Sequence, residues 1–171
     1  MNKLKFVTFA VIGILVILTT LRIRQNTVPV TNMLKSDITT ADPPSIQMYF
    51  FIEKYAQEFD IPRNFAYGIA HCESRYNGPF DWDYNPYLTS PVGALGPMQL
   101  MPKTAKFIND NKVDVKRLKI DIEYNVRISM KFLRYLKNQY SDWKLVFGCY
   151  NTGSPLVNQY AMDVYTFKPN W

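Results

Sequence analysis

Histidine and cysteine are scarce in this sequence, which contains one histidine, His71, and two cysteines, Cys72 and Cys149. Zinc sites draw their four ligands mostly from these residue types, so the chain offers too few of them. A cysteine–histidine nucleophile pair needs side chains that face each other, whereas neighbours on a helix point about 100° apart. We therefore expect neither kind of site, and we interpret His71 as a partly exposed structural residue.

A calcium loop is excluded for a similar reason. Asp81-Trp82-Asp83-Tyr84-Asn85 imitates the start of such a loop, but Pro86 stands where glycine is required. Val92 occupies the position of the closing glutamate. The sequence also lacks internal repeats, low-complexity segments and any convincing strand pattern. No metal or organic cofactor is indicated.

Acidic residues are absent from the first 24 positions, and this absence explains most of the net charge of +6. Four basic residues lie there, which leaves sixteen basic and fourteen acidic residues in the rest of the chain. The remaining basic excess lies between Lys103 and Lys137, mostly at helical spacing. A solvated helix face explains this pattern better than a phosphate-binding groove, so we expect no nucleic-acid partner.

Residues 1–24 contain the long apolar run of the chain, Phe6–Leu21, which would span about 24 Å as a helix. No small-x-small cleavage pattern follows it and no cysteine follows closely, which argues against a cleaved leader and excludes a lipoprotein anchor. We expect residues 1–24 to be a signal anchor that crosses the membrane. Residues 25–44 have no helical or strand period and carry Pro29, Pro43 and Pro44, so they are predicted to be a linker.

Residues 45–171 are predicted to form one all-α domain. Ser45 is the expected N-cap of a helix over residues 46–59, and Pro62 the start of a helix that ends near residue 77. Further helices are predicted from Pro102, Asp121, Ser141 or Asp142, and Ser154-Pro155, with an irregular stretch over residues 111–119. Gly153 is predicted to end the helix before it. Residues 80–96 form a long loop rich in proline, aspartate and aromatic residues, which suggests a functional loop.

Glu73 is the unusual residue of the predicted second helix. Phe65, Ile69 and Glu73 are four residues apart, so a carboxylate continues an otherwise apolar helix face. Burial disfavours the ionised form, and the negative end of the helix dipole repels it. Both effects should raise the pKa of Glu73, as a general acid working near neutral pH requires.

Three segments, in this order, carry a family resemblance. They are Glu73-Ser74-Arg75-Tyr76-Asn77, Gly93–Ala105 with its core Gly96-Pro97-Met98-Gln99-Leu100-Met101-Pro102, and Cys149-Tyr150-Asn151-Thr152-Gly153. They resemble the motifs of the soluble-type (SLT) lytic transglycosylase domain, which has a lysozyme-like fold. The helix from Asp121, with Asn125, and the closing Tyr160 and Val164 are similar to that family too. The resemblance covers about residues 46–167.

The resemblance implies that Glu73 is the single catalytic acid and base. The implied substrate is the peptidoglycan glycan strand, cut between N-acetylmuramic acid and N-acetylglucosamine without water, leaving a 1,6-anhydro end. It further implies that Met98 and Gln99 line the sugar groove, that Ser74 lies beside the acid, and that Tyr150 and Asn151 orient it, with Tyr160 backing the pocket. Pro97 and Cys149 depart from the family pattern, and residues 78–92 are longer than its minimal spacing.

Several alternatives stay open from the sequence. Asp81 or Asp83 would make the protein a lysozyme-type hydrolase if either activated a water molecule. A further hypothesis is that the protein is a non-cleaving peptidoglycan-binding module of an envelope-spanning machine. Trp82, Tyr84 and Tyr87 are either sugar-stacking residues or apolar anchors of their loop. Cys72 and Cys149 either form a disulfide or remain buried thiols.

The expected location is the cell envelope, with the domain outside the cytoplasmic membrane. The sequence does not distinguish wall turnover from service to a secretion or conjugation machine, or from a phage function.

Overall fold

The structure is a computed structural model that describes residues 38–171. The predicted membrane anchor, residues 1–24, and most of the predicted linker lie outside the described residues. Within residues 38–171, no helix combines the length and the apolar character needed to cross a bilayer.

The described part of the chain is helical, as predicted, and no extended strand is formed in it. Its seven helices are α1 (Pro44–Glu58), α2 (Arg63–Ser74), α3 (Pro102–Ile108), α4 (Val115–Ile120), α5 (Ile122–Gln139), α6 (Trp143–Thr152) and α7 (Gln159–Thr166). The main core lies between α1, α2, α5, α6 and α7, and includes the fully buried Ile52, Ile69, Met130 and Phe147. A smaller apolar cluster packs α3 and α4 against α5 around Leu118.

Helix starts and ends follow local chemistry where a cap is present. Asp121 accepts a hydrogen bond from the Tyr124 N–H and Asp142 accepts one from the Lys144 N–H, which satisfies free donors at the starts of α5 and α6. Gly153 ends α6 in the left-handed conformation at φ 77°, which glycine adopts without strain. These three predicted boundaries are confirmed.

Three predicted boundaries are wrong. Ser45 lies inside α1, buried, and its hydroxyl donates to the Pro79 carbonyl oxygen at 3.0 Å instead of capping the helix. The stretch of residues 111–119, predicted to be irregular, contains most of α4, whose start is capped by the Asp114 carboxylate accepting from two backbone N–H groups. The last helix begins after Asn158, whose side chain accepts from the Ala161 N–H, and not at Ser154-Pro155.

Two glycines permit close approaches that shape the site. A Cβ at Gly68 on α2 would lie 3.0 Å from the Val164 carbonyl oxygen of α7, so the two helices pack with little space between them. A Cβ at Gly148 on α6 would lie 1.7 Å from the Leu156 carbonyl oxygen, so only glycine fits there. The first contact brings α7 against the helix that carries Glu73.

Candidate active site

Glu73 lies in the last turn of α2, one residue before the helix ends. Arg75 stops the helix in the left-handed conformation at φ 60°, and its N–H bonds back to the carbonyl oxygens of Ala70 and His71. Ala66, Ile69 and Ala70 on the same helix are fully buried. The apolar face predicted from the sequence therefore exists, and Glu73 is largely buried at its end.

Burial raises the pKa of Glu73 to about 7, although a hydrogen bond from Tyr160 acts in the opposite direction. The Tyr160 hydroxyl donates to Oε1 of Glu73 at 2.6 Å. Burial and the nearby Glu73 charge both raise the pKa of Tyr160, so its hydroxyl keeps its proton and remains a donor. A carboxyl group with a pKa near 7 can both give and accept a proton at neutral pH.

Ser74 is buried directly after the acid and serves as an anchor point. Its hydroxyl donates to the Ala70 carbonyl oxygen at 3.0 Å and lies 2.7 Å from the Tyr84 hydroxyl. Since serine has one hydroxyl hydrogen, Tyr84 is the donor in that second bond. Tyr84 is itself buried. Of the two roles proposed for Tyr84, sugar stacking or loop anchoring, the structure shows the second. Tyr84 anchors the loop of residues 78–92 to α2.

A surface pocket of about 390 Å³ opens beside Glu73; we call it the Glu73 pocket. Its polar lining includes three carboxylates, from Glu73, Asp81 and Asp83. The other lining residues are Cys72, Ser74, Arg75, Tyr84, Asn85 and Leu88. The pocket thus lies between the end of α2 and the loop of residues 78–92.

Met98 and Gln99 follow a loop that is held tightly from two sides. The Met98 N–H donates to Oδ1 of Asn125 at 3.0 Å, and the Tyr150 hydroxyl donates to the Met98 carbonyl oxygen at 2.8 Å. Fully buried Asn125 also donates to the carbonyl oxygens of Leu95 and Leu118 at 2.9 and 2.8 Å. With both sides of Met98 fixed, Gln99 is held at φ 45°, a conformation that non-glycine residues rarely adopt.

The structure gives Met98, Gln99, Tyr150 and Tyr160 different surroundings. Met98, predicted to line the sugar groove, is fully buried in the core, while Gln99 stays partly exposed and donates to the Gly96 carbonyl oxygen at 2.7 Å. Tyr150 bonds to the Met98 backbone and not to Glu73. Tyr160, predicted only to back the pocket, makes the direct bond to Glu73 instead.

Asn151 is exposed and its Oδ1 accepts from the Asn158 side chain at 3.1 Å.

Cys72 and Cys149 are free thiols, so the disulfide alternative is not realised in this structure. Burial raises the pKa of Cys72 to about 11, which keeps the thiol protonated and a poor nucleophile at neutral pH. His71 is exposed, with Nδ1 donating to the Tyr76 carbonyl oxygen at 3.1 Å, as a structural residue would.

Sequence reasoning missed the structural part of Asn125 and of the Ser74–Tyr84 bond. The resemblance includes Asn125 without giving it a role, although a lone asparagine among apolar helix positions indicates a buried polar group that needs hydrogen-bond partners. The pairing of Ser74 with Tyr84 depends on how the loop folds back, and no local pattern indicates it. Within residues 38–171 no cluster of three or more metal-ligating side chains occurs.

Comparison with known proteins concerns the family of the chain. The family model described as the transglycosylase SLT domain matches residues 50–170. The soluble lytic murein transglycosylase of Escherichia coli K12 is 31% identical over 106 residues, which is 59% of this chain and 15% of that protein. The protein of the same name from Salmonella typhimurium is 30% identical over 105 residues, covering 58% and 15%. The chain therefore matches only a small part of the length of these relatives.

Solved structures give the same result for the fold. The 70 kDa soluble lytic transglycosylase of Escherichia coli superimposes with a TM-score of 0.53 at 28% identity, covering 67% of this chain and 18% of that one. An inactive glutamate-to-glutamine variant of the lytic transglycosylase Slt from Pseudomonas aeruginosa gives 0.50 at 24% identity, covering 60% and 16%. The second similarity concerns the fold alone. The described residues form a helical lysozyme-like domain with Glu73 beside a pocket, and the family model matches well over half of the chain. The chain therefore belongs to the transglycosylase SLT domain family.

Proposed function

We propose that the protein is a lytic transglycosylase acting on the glycan strands of peptidoglycan. The observation that carries this proposal is Glu73, a largely buried carboxyl with a pKa of about 7, bonded by Tyr160 and open to a pocket. Relatives named soluble lytic murein transglycosylases support the choice of substrate.

The proposed reaction uses Glu73 twice. Protonated Glu73 gives its proton to the oxygen that bridges N-acetylmuramic acid and N-acetylglucosamine, and the glycosidic bond breaks. The 6-hydroxyl of the muramic residue then attacks its own anomeric carbon and returns a proton to Glu73. The products are a free 4-hydroxyl on one fragment and a 1,6-anhydro ring on the other, and no water is consumed. The substrate's acetamido group stabilises the positive centre in place of a second carboxylate.

Tyr160 has a defined part in this cycle. Its hydroxyl donates to Oε1 of Glu73, which lowers the free energy of the carboxylate form after the first proton transfer. Burial works against that form. The two effects together keep the protonated and ionised forms close in free energy near neutral pH, as an acid that becomes a base requires.

Gln99 and Asn151 are proposed to contact the sugars, because both have polar side chains that are exposed or partly exposed. Ser74, Met98 and Tyr150 are proposed to act through the groups they hold. Ser74 anchors the loop of residues 78–92, and Met98 links Asn125 to Tyr150.

The test is digestion of purified peptidoglycan followed by mass spectrometry of the fragments. We expect fragments that are lighter than hydrolysis products by one water molecule, and none with the Glu73→Gln variant. Glu58→Gln, the same change at an exposed position of α1, is the control and should cleave like the wild type. Folding of both variants is checked by circular dichroism.

A lysozyme-type hydrolase is the second candidate, since Asp81 and Asp83 line the same pocket as Glu73. Either carboxylate would then activate a water molecule, and the fragments would carry reducing ends without the mass loss. Wild-type protein that binds peptidoglycan and releases no fragments would instead indicate a non-cleaving binding module.

We further propose that residues 1–24 anchor the protein in the cytoplasmic membrane, with the domain on the outer side. This proposal rests on the apolar run Phe6–Leu21 and its basic flanks. Carbonate extraction of membranes tests it, since an anchored protein stays in the pellet and a peripheral one is released.

A further inference from the structure

The loop of residues 78–92 carries three exposed aromatic side chains, and the two most exposed of them, Phe80 and Trp82, lie next to each other. Phe80 is 72% exposed and Trp82 is 65% exposed. Their rings pack edge to face with centroids 6.4 Å apart, so they form one continuous apolar surface, which we call the aromatic platform. Adjoining exposed apolar side chains lose the stabilisation that burial would give and commonly mark a binding surface.

The platform belongs to a loop that is fixed to α2. The Tyr84 hydroxyl bonds to Ser74, the residue after Glu73, at 2.7 Å. The Tyr84 N–H donates to the Asp81 carbonyl oxygen at 3.2 Å, and the Asp81 N–H donates to the Gly78 carbonyl oxygen at 3.4 Å. Gly78 adopts φ 104°, with the Trp171 ring 2.7 Å from where a Cβ would lie. The distance between the platform and Glu73 is therefore set by the fold.

The platform adjoins the Glu73 pocket along the chain. Asp81 and Asp83, the two neighbours of Trp82 in sequence, both line that pocket. Successive Cα atoms are about 3.8 Å apart, so the Trp82 backbone lies at the pocket's rim. A chain-like ligand bound at Glu73 and leaving the pocket on this side would meet the two rings next.

The chemistry of this surface fits a sugar ring. A pyranose has an apolar face of C–H groups, which packs on an aromatic ring, and a rim of hydroxyl and amide donors. Asp81 and Asp83, the sequence neighbours of Trp82, supply carboxylate acceptors in the adjoining pocket. The same carboxylates would repel an anionic membrane surface, which argues against a lipid ligand.

We propose that Phe80 and Trp82 form an additional binding site for sugar rings of the same glycan strand whose bond is cleaved at Glu73. The proposal rests on the proposed function. It predicts that long strands are bound more tightly than short ones.

The test compares the full chain with Phe80→Ala, Trp82→Ala and the double variant on two peptide-free glycan substrates. One is a long strand and the other is the shortest strand that the wild type cleaves. For the long strand we expect KM to rise about tenfold per ring removed, with kcat retained, as loss of one packed aromatic face implies. The short strand should show no change.

Phe107→Ala is the matched control, because Phe107 is 63% exposed and also packs edge to face, on Tyr135 at 5.3 Å. It should behave like the wild type on both substrates. An unchanged KM for the long strand in the double variant would overturn the proposal. So would an equal loss on both strands, which would indicate a structural role for the rings. The proposal would also be overturned if the double variant sedimented less than the wild type with anionic phospholipid vesicles while its KM stayed unchanged. The two rings would then form a membrane contact.

A binding measurement separates this proposal from the proposed function. Glu73→Gln, with and without the two platform substitutions, is sedimented with insoluble peptidoglycan. Weaker binding without the platform supports the inference even if the wild type cleaves nothing. Cleavage by the wild type together with platform-independent binding overturns the inference and leaves the proposed function standing.

Discussion

Replacing Glu73 by glutamine should change how the stability of the protein depends on pH, independently of any activity. Burial raises the pKa of Glu73 from 4.5 to about 7 in the folded protein. Each pKa unit corresponds to 1.36 kcal/mol, so ionising this group in the folded state costs about 3 kcal/mol relative to the unfolded chain. Glutamine has a similar shape, can accept the same bond from Tyr160, and does not ionise.

The direction in which the free energy of unfolding changes with pH depends on which state, folded or unfolded, holds the Glu73 proton. Between about pH 4.5 and 7 the folded protein holds the Glu73 proton and the unfolded chain has lost it, so the wild type becomes less stable as pH rises. Below this range both states are protonated, and above it both are ionised. The free energy of unfolding of Glu73→Gln minus that of the wild type should therefore increase by about 3 kcal/mol between about pH 4 and 8. All other titrating groups cancel in this difference.

The measurement is urea unfolding of the full chain in a mild detergent, followed by tryptophan fluorescence. All three tryptophans, Trp82, Trp143 and Trp171, lie in the described domain, so the signal reports on its unfolding. Glu58→Gln is the control for the loss of one surface charge. Unfolding free energies of Glu73→Gln and wild type that stay parallel from about pH 4 to 8 would refute a raised pKa for Glu73.

Two further predictions concern the groups that hold the site. Tyr160→Phe removes a hydrogen bond to a charged group, worth about 1.5–3 kcal/mol, so the pKa of Glu73 should rise by about one to two units. The alkaline limb of the pH dependence of kcat/KM should move upward by that amount, and an unmoved limb would contradict the assignment of the limb to Glu73. Asn125→Ala leaves the Met98 N–H and the Leu118 carbonyl oxygen without these partners, and the Leu95 carbonyl oxygen keeps only its bond from the Leu100 N–H, so unfolding free energy should fall by about 3 kcal/mol or more. Urea denaturation checks this, with Asn109→Ala as a solvent-exposed control whose loss should stay below about 1 kcal/mol.

The helical class and the position of Glu73 were predictable because both depend on local information. Apolar residues at a period near 3.6 define each long helix, and aspartate caps or glycine stops mark several ends. The start of the last helix is predicted wrongly although its cap, Asn158, is local, whereas the other two wrong boundaries also involve long-range contacts. Ser45 is buried against Pro79 in the fold, and residues 115–120 become helical where Leu118 packs into the smaller core.

Local sequence accounts for the helices, for the apolar face that ends in a carboxylate, and for the three segments that relate the chain to its family. Which groups contact each other depends on the tertiary structure. Tyr160 reaches Glu73 across 87 positions because Gly68 lets α7 pack closely on α2. Met98 is buried because Asn125 and Tyr150 fix its backbone from two helices, and Tyr84 turns inward while Phe80 and Trp82 stay in solvent. Local propensity acts on neighbours in sequence, whereas these contacts depend on how separate helices and one long loop pack in space.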